Sequence, residues 1–229
     1  MEHARVVVTE HHVDKERVCL MGGLARGEGH LASGSNGVTL QVSRADASRL
    51  GIRTNQQLSF WHTGEALRLG PYIGIMTNKR PGGIKGFQGL RGRRETYIAL
   101  LRTAKRMGSI AYVFACEDID FKRMRVVGYQ QSKAGIWTAR EYPLPNVVYN
   151  RIPDRKSEVA PVVRMAKRRL EELAHTHCTT MFNPRFLNKW DLHRIFAQNP
   201  ELARYLPDTR LYRGPGDIRL MLRDRKSVV

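Results

Sequence analysis

One lysine stands where a folding argument alone would not put it. In Asn183-Pro184-Arg185-Phe186-Leu187-Asn188-Lys189-Trp190 a strand gives way to a helix. Asn188 can cap that helix, and Asp191 three residues later makes a near capping box. Lys189 then falls in the first helical turn, where the positive end of the helix dipole disfavours a cation. An anion bound beside it, such as a phosphate, accounts for the placement. A solvent-facing lysine accounts for it equally well on this argument alone.

Other groups of residues invite chemistry less strongly. Asn78-Lys79-Arg80-Pro81-Gly82-Gly83-Ile84-Lys85-Gly86, with Gly89 beyond, is rich in glycine and cations. Backbone N–H groups at a loop-to-helix junction favour anions. The glycines match neither G-x-G-x-x-G nor the P-loop spacing, so the stretch reads as a mobile basic surface loop. Glu117-Asp118-Ile119-Asp120 reads as an acidic turn after a strand. His175-Thr176-His177-Cys178 has no H-E-x-x-H and no second cysteine close by, and it reads as a surface loop rather than a metal site. Lys79, Arg80, Lys85, Arg91, Arg93 and Arg94 form one basic cluster. Arg164, Lys167, Arg168 and Arg169 form another, read as a solvated helix face. Aromatics do not interleave with either run, and no nucleic-acid module pattern is present, which argues against specific nucleic-acid recognition.

The elements that must position these residues follow from hydrophobic period and turn chemistry. Residues 1–66 read as a small β-rich domain, a barrel or sandwich, with strands at 5–9, 18–21, 38–42 and 58–62. Residues 43–50 can hold one helical turn, capped by Ser43 or Asp46 and stopped by Gly51. Residues 72–76 form a buried strand. Tyr97, Ile98, Leu101 and Ala104 share a helical face that ends near Gly108, and residues 110–114 form a second buried strand. Strand, helix and strand at this spacing make a βαβ unit with a parallel pair. Residues 125–130 and 136–142 bracket a turn at Ser132-Lys133-Ala134-Gly135 and make a hairpin, and residues 147–149 form another strand. Val159, Val162, Val163, Ala166, Leu170 and Leu173 keep a 3.6 period, which predicts a long helix. Short strands are expected at 179–182 and 209–212, a helix at 217–223, and a strand beginning at 226–229.

The 229-residue chain carries 39 Lys and Arg against 21 Asp and Glu, a net charge of +18. Such a field attracts polyanions without choosing among them. Cys19, Cys116 and Cys178 are widely spaced and odd in number, which speaks against a disulfide framework and for a reducing interior. No signal-peptide pattern and no run of ~18 apolar residues is present. A cytoplasmic location is the expectation.

Several segments together carry a resemblance. Leu69-Gly70-Pro71-Tyr72-Ile73-Gly74-Ile75-Met76, Ala111-Tyr112-Val113-Phe114 with the acidic run at 117–120, and Pro145-Asn146-Val147-Val148-Tyr149-Asn150-Arg151-Ile152-Pro153 resemble the YheC/YheD endospore coat-associated, ATP-grasp-like family. So do Phe182-Asn183-Pro184-Arg185-Phe186, Asn188-Lys189-Trp190 and Tyr205-Leu206-Pro207-Asp208-Thr209-Arg210-Leu211-Tyr212. The similarity runs in order from about residue 69 to 212, while the first 65 residues match more loosely.

The resemblance implies an α+β or α/β fold: a small β domain over 1–66, a pre-ATP-grasp α/β domain over 67–153, and the start of an ATP-grasp module over 154–229. It implies ATP and Mg²⁺ as cofactors, with Lys189 resembling the lysine that reaches the nucleotide phosphates. Family members continue with a Lys-Pro strand, a Gly-rich phosphate loop and magnesium ligands. None of these is in this chain, so a catalytically incomplete, truncated ATP-grasp-like protein is expected, with no catalytic or metal residue assigned. Its parent would be an ATP-dependent carboxylate–amine ligase-like protein associated with the endospore coat. The alternative is a non-catalytic basic module that holds an acidic polymer, nucleic acid or spore-coat components.

Overall fold

A computed structural model describes residues 2–9, 18–35, 37–64, 66–132, 134–177 and 179–224. It is a mixed α and β structure that divides into two compact units, Met1–Arg185 and Phe186–Val229.

The first unit begins with a closed barrel. Its strands are β1 (Glu2–Thr9), β2 (Val18–Gly22), β3 (Ala25–Gly34), β4 (Gly37–Ser43), β5 (Gln57–Thr63) and β6 (Ala66–Leu69), in the order β1-β4-β3-β2-β6-β5. Pairing of β5 with β1 closes the ring, and closure removes the exposed edges that an open sheet would leave. Alternate residues point inward: Ala4, Val6, Leu40, Val42, Leu67 and Leu69 are buried. Helix α1 (Arg44–Leu50) plugs the barrel with Leu50. Ser43 Oγ accepts the Asp46 N–H at 3.0 Å, and Gly51 ends the helix at φ +66°.

Strands β3 and β6 are additions to the sequence reading. In β3 the glycines hide the period. A Cβ on Gly27 would lie 3.0 Å from Leu50 Cδ1, and one on Gly29 would lie 2.7 Å from Leu20 Cδ1. The strand is thin there because other side chains already fill its interior face.

An open sheet follows, in the order β10-β9-β8-β7-β11-β12. Its strands are β7 (Tyr72–Thr77), β8 (Ile110–Asp120), β9 (Arg125–Gln131), β10 (Trp137–Pro143), β11 (Val147–Asn150) and β12 (Thr180–Phe182). Strands β8, β7, β11 and β12 run parallel; β8, β9 and β10 are antiparallel neighbours. The expected βαβ unit is β7, α2 (Arg94–Arg106) and β8, and the expected hairpin is β9 and β10. After β11 come a short helix α3 (Arg155–Glu158) and a long helix α4 (Pro161–His177).

The two faces of the sheet are filled separately. Ile75, Val113 and Ala115 pack with Tyr97 of α2 and with Leu90 and Tyr129. Met76, Phe114 and Val148 belong to the core that includes Val163, Ala166 and Leu170 of α4. That core is continuous with the barrel interior through Tyr72, Tyr112 and Tyr142. Tyr72 Oη donates to the Leu50 carbonyl at 2.8 Å, and Tyr112 and Tyr142 stack at 4.4 Å between ring centroids. Buried hydroxyls of this kind keep a partner because an orphaned one is costly.

Several local expectations change. Val159 is 63% exposed; it caps α3, and α4 starts only at Pro161, a favoured first-turn residue. Glu117–Asp120 is not a turn but the end of β8, because β9 continues the ladder with Ile119 opposite Val126 and Asp120 opposite Arg125. His175 and His177 fall in the last turn of α4 rather than in a loop. Cys178, Lys133 and the expected strand at 226–229 lie outside the described residues. The compact unit built on the sheet reaches Arg185, because α4 and β12 complete that sheet and its core.

Within the second unit the described elements are α5 (Lys189–Ala197), α6 (Pro200–Ala203) and α7 (Pro215–Asp224). Residues 209–212 are irregular rather than a strand, since no described strand of this unit is there to pair with them. Neither α5 nor α6 has a buried residue.

Candidate functional site

The chain leaves β7 for α2 on one face of the sheet and leaves β11 for α4 on the other. Adjacent parallel strands whose connections diverge open a crevice at their carboxyl ends, and ligands of open α/β sheets bind in such crevices. Here the carboxyl ends bring together Asn78 and Lys79 after β7, Glu117 and Asp118 on β8, Asn150 at the end of β11 with Arg151 to Asp154 after it, and Asn183 to Arg185 after β12.

Their polar groups form a connected network. Arg91 Nη2 lies 2.6 Å from Asp154 Oδ2, and Arg91 also donates to Ser157 Oγ. Asp154 caps α3 by accepting the Ser157 N–H at 2.8 Å. That backbone hydrogen bond, followed by Ser157 Oγ and the Arg91 guanidinium, holds the Asp154 carboxyl below its ordinary range against a smaller opposing effect of burial. Lys79 pairs with Asp118, and its backbone N–H donates to Glu117 Oε1 at 3.1 Å. The hydrogen bond to Asp118 raises the Lys79 ammonium above its usual value, with desolvation opposing. Lys167 on α4 reaches Glu158 Oε1 at 2.7 Å. Asn183 Nδ2 donates to the Asn150 carbonyl at 3.0 Å, and Tyr149 stacks on Phe182 at 4.2 Å.

Two buried acceptors in this region have no partner among the described residues: Asn78 Oδ1 and Asp118 Oδ2. Buried acceptors left unmade are costly, so the crevice suits a ligand that brings N–H groups. Cys116, which donates to the Thr77 carbonyl at 2.9 Å, is no nucleophile. Burial pushes its thiol up to about 12, and the thiolate is the reactive form.

Lys189 is the first residue of α5, and its side chain is exposed. Asn188 caps the helix: its Oδ1 accepts the Asp191 N–H at 2.7 Å, and its Nδ2 donates to Asp191 Oδ2 at 2.5 Å. The capping arrangement is the one expected. Lys189 forms no ion pair with a described residue.

The two basic clusters come apart in the structure. Arg91 and Lys79 pair with carboxylates, while Arg80, Lys85 and Arg94 are exposed and form no ion pair with a described residue. Lys167 does not belong to a solvated face; it is largely buried against Glu158, whereas Arg168 and Arg169 are exposed and reach Glu172. Sequence reading missed Asn78, Asn150, Asp154 and Ser157 as site residues. The usable signal was position: Asn78 follows β7, Asn150 ends β11, Asp154 caps α3 and Ser157 lies in the turn that Asp154 caps.

Residues 178–229 match the model of the YheC/D-like ATP-grasp family. The chain is also similar to the endospore coat-associated protein YheD of Bacillus subtilis (strain 168), with 28% identity over 151 residues. The match covers 63% of this chain and 31% of that protein, so the chain spans about a third of the length of this curated relative. No solved structure matches. The resemblance to the YheC/YheD-type, ATP-grasp-like family read from the sequence is borne out by these two findings.

Among the described residues no helix is long and apolar enough to cross a membrane.

Proposed function

We propose that this chain is an ATP-grasp-like protein in which Lys189 contacts a nucleotide phosphate, within a spore-coat-associated, carboxylate–amine ligase-like system. The match of residues 178–229 to the YheC/D-like ATP-grasp model carries the reading, because it covers α5 and its first residue. In support, Lys189 is an exposed cation at the positive end of a helix, without an ion-pair partner among the described residues. In this reading residues 67–153 serve as the pre-ATP-grasp unit, residues 154–229 open the ATP-grasp module, and the barrel of 1–66 is an appended β domain. The unsatisfied acceptors Asn78 Oδ1 and Asp118 Oδ2 suit an amine-bearing substrate.

ATP would supply the phosphoryl group that activates a carboxylate, and Lys189 would hold its phosphate oxygens. Magnesium needs several oxygen ligands. Among the described residues no cluster of three or more His, Cys, Asp or Glu is arranged to hold a metal. These residues do not fit a magnesium cage. The proposal assigns this chain binding rather than turnover.

Calorimetric titration with a non-hydrolysable ATP analogue tests the reading. A water-exposed contact of this kind contributes about 1 kcal/mol, so Lys189→Met should weaken binding by roughly fivefold. Arg168→Gln, an exposed cation elsewhere, should leave binding unchanged. Equal affinity in wild type and Lys189→Met would return Lys189 to the role of a plain surface residue.

The net charge of +18 favours one second reading, a non-catalytic module for an acidic polymer. Binding of poly-glutamate whose affinity falls steeply with salt, with no response to the nucleotide analogue, would select it.

A further inference from the structure

The glycine-rich loop after β7 does not enter the strand-end network as a whole. Its outer part forms one wall of a separate cavity of about 590 Å³ on the α2 side of the sheet. Arg80, Lys85, Phe87, Gly92, Arg94 and Trp137 are among its lining residues, and no described lining residue is acidic.

Four features of this cavity converge on one kind of ligand. Three cations face it, and none forms an ion pair with a described residue. Arg94 opens α2, a 13-residue helix, and its N-cap residue Arg93 makes no side-chain capping hydrogen bond. The first-turn N–H groups therefore lack the usual side-chain acceptor. Phe87 and Trp137 stack face to face, 3.4 Å between centroids and 5° from parallel, and give the cavity a flat apolar wall. The indole Nε1 of Trp137 is buried and has no acceptor among the described residues.

The loop is also held in this shape. A Cβ on Gly89 would lie 1.9 Å from the Ile84 carbonyl oxygen. Gly92 has φ +108°, and a Cβ there would lie 1.9 Å from Tyr97 Oη. Arg80 Nε donates to the Leu90 carbonyl at 3.0 Å, which orients its guanidinium and leaves both Nη groups to other partners.

We propose that this cavity binds the phosphate-bearing end of a small molecule whose flat apolar part lies against the Phe87–Trp137 stack. Three cations and a helix N-terminus suit a compact dianion better than a single carboxylate. The site is formed by residues of the first unit alone and does not depend on Lys189 or on the nucleotide reading.

The test uses the full chain with Trp61→Phe and Trp190→Phe, which leaves Trp137 as the only indole. Its fluorescence is followed during titration with phenyl phosphate, inorganic phosphate, benzoate and phenol. Phenyl phosphate should give a saturable change, with inorganic phosphate roughly tenfold weaker because it cannot use the aromatic wall. Lys85→Gln combined with Arg94→Gln should weaken phenyl phosphate by roughly tenfold or more. Both side chains are exposed, so melting curves should stay unchanged. Arg94→Lys should retain most of the affinity, and Arg102→Gln, on α2 but outside the cavity, should retain all of it. Absence of a saturable signal overturns the proposal. So does phenol or benzoate binding as tightly as phenyl phosphate, or an equal loss in Arg102→Gln, which would indicate only a general positive field.

Discussion

Lys167 Nζ lies 2.7 Å from Glu158 Oε1, and each side chain is only 13% exposed. The pair ties the long helix α4 to the short helix α3 beside the strand-end crevice. Removing one partner leaves the other charge nearly buried. Breaking a buried pair costs about 3–5 kcal/mol and an exposed one about 0–1, so Lys167→Met should cost roughly 1–3 kcal/mol. Adding Glu158→Gln should recover part of that loss. Urea denaturation of the single and double variants measures both. Single losses that simply add in the double variant would contradict the pairing.

Acid should act on the other side of the same turn. Asp154 is held below its ordinary value of 3.8, first by the Ser157 N–H. A depressed carboxyl stabilises the fold at neutral pH. Its contribution is fully present above about pH 4, shrinks as pH falls below 3.8, and is lost once pH passes through the lower folded value. Asp154→Asn should therefore lower stability at pH 7 and flatten the loss of stability between pH 4 and 2. Denaturation midpoints at pH 7, 4 and 2.5 give the comparison, and identical slopes in both proteins would exclude this role.

Thiol chemistry should separate Cys19 from Cys116. Cys19 is exposed and Cys116 is buried, with its thiol pushed up to about 12 by burial. At pH 8 only about one Cys116 in ten thousand would be thiolate, before access is considered. In a Cys178→Ser background, iodoacetamide should label Cys19 promptly and Cys116 only on unfolding. Prompt double labelling of the folded protein would contradict the burial.

Amide exchange should distinguish the two units. The run from Ala111 to Cys116 in β8 is buried throughout, whereas α5 and α6 have no buried residue, and Phe186, Leu187, Ile195, Phe196 and Leu202 are exposed. Exchange in elements with few buried apolar contacts proceeds through local opening. Amides of α5 should exchange at least roughly a hundredfold faster than those of β8. Equal protection in both would contradict the link between sparse burial and local opening in the second unit.

Much of this structure was legible from local sequence signals. Ser43 and Gly51 mark α1, Asn188 and Asp191 mark the start of α5, and the apolar runs around α2 define the βαβ unit. Each signal lies within one element, where hydrogen-bond geometry and side-chain period restrict the choice. The motif resemblance reached the family by the same short segments. Tertiary structure alone decided the rest. Strand β3 forms where glycines make room for Leu20 and Leu50, which come from other elements. The acidic run 117–120 is a strand because β9 pairs with it. Arg91 leaves the basic loop for Asp154, 63 residues away, and Lys167 leaves the helix surface for Glu158. The sequence determines which residues carry charge and which segments can be strands or helices. Which charges are spent on each other, and which stay free to meet a ligand, depends on long-range contacts that no local pattern records.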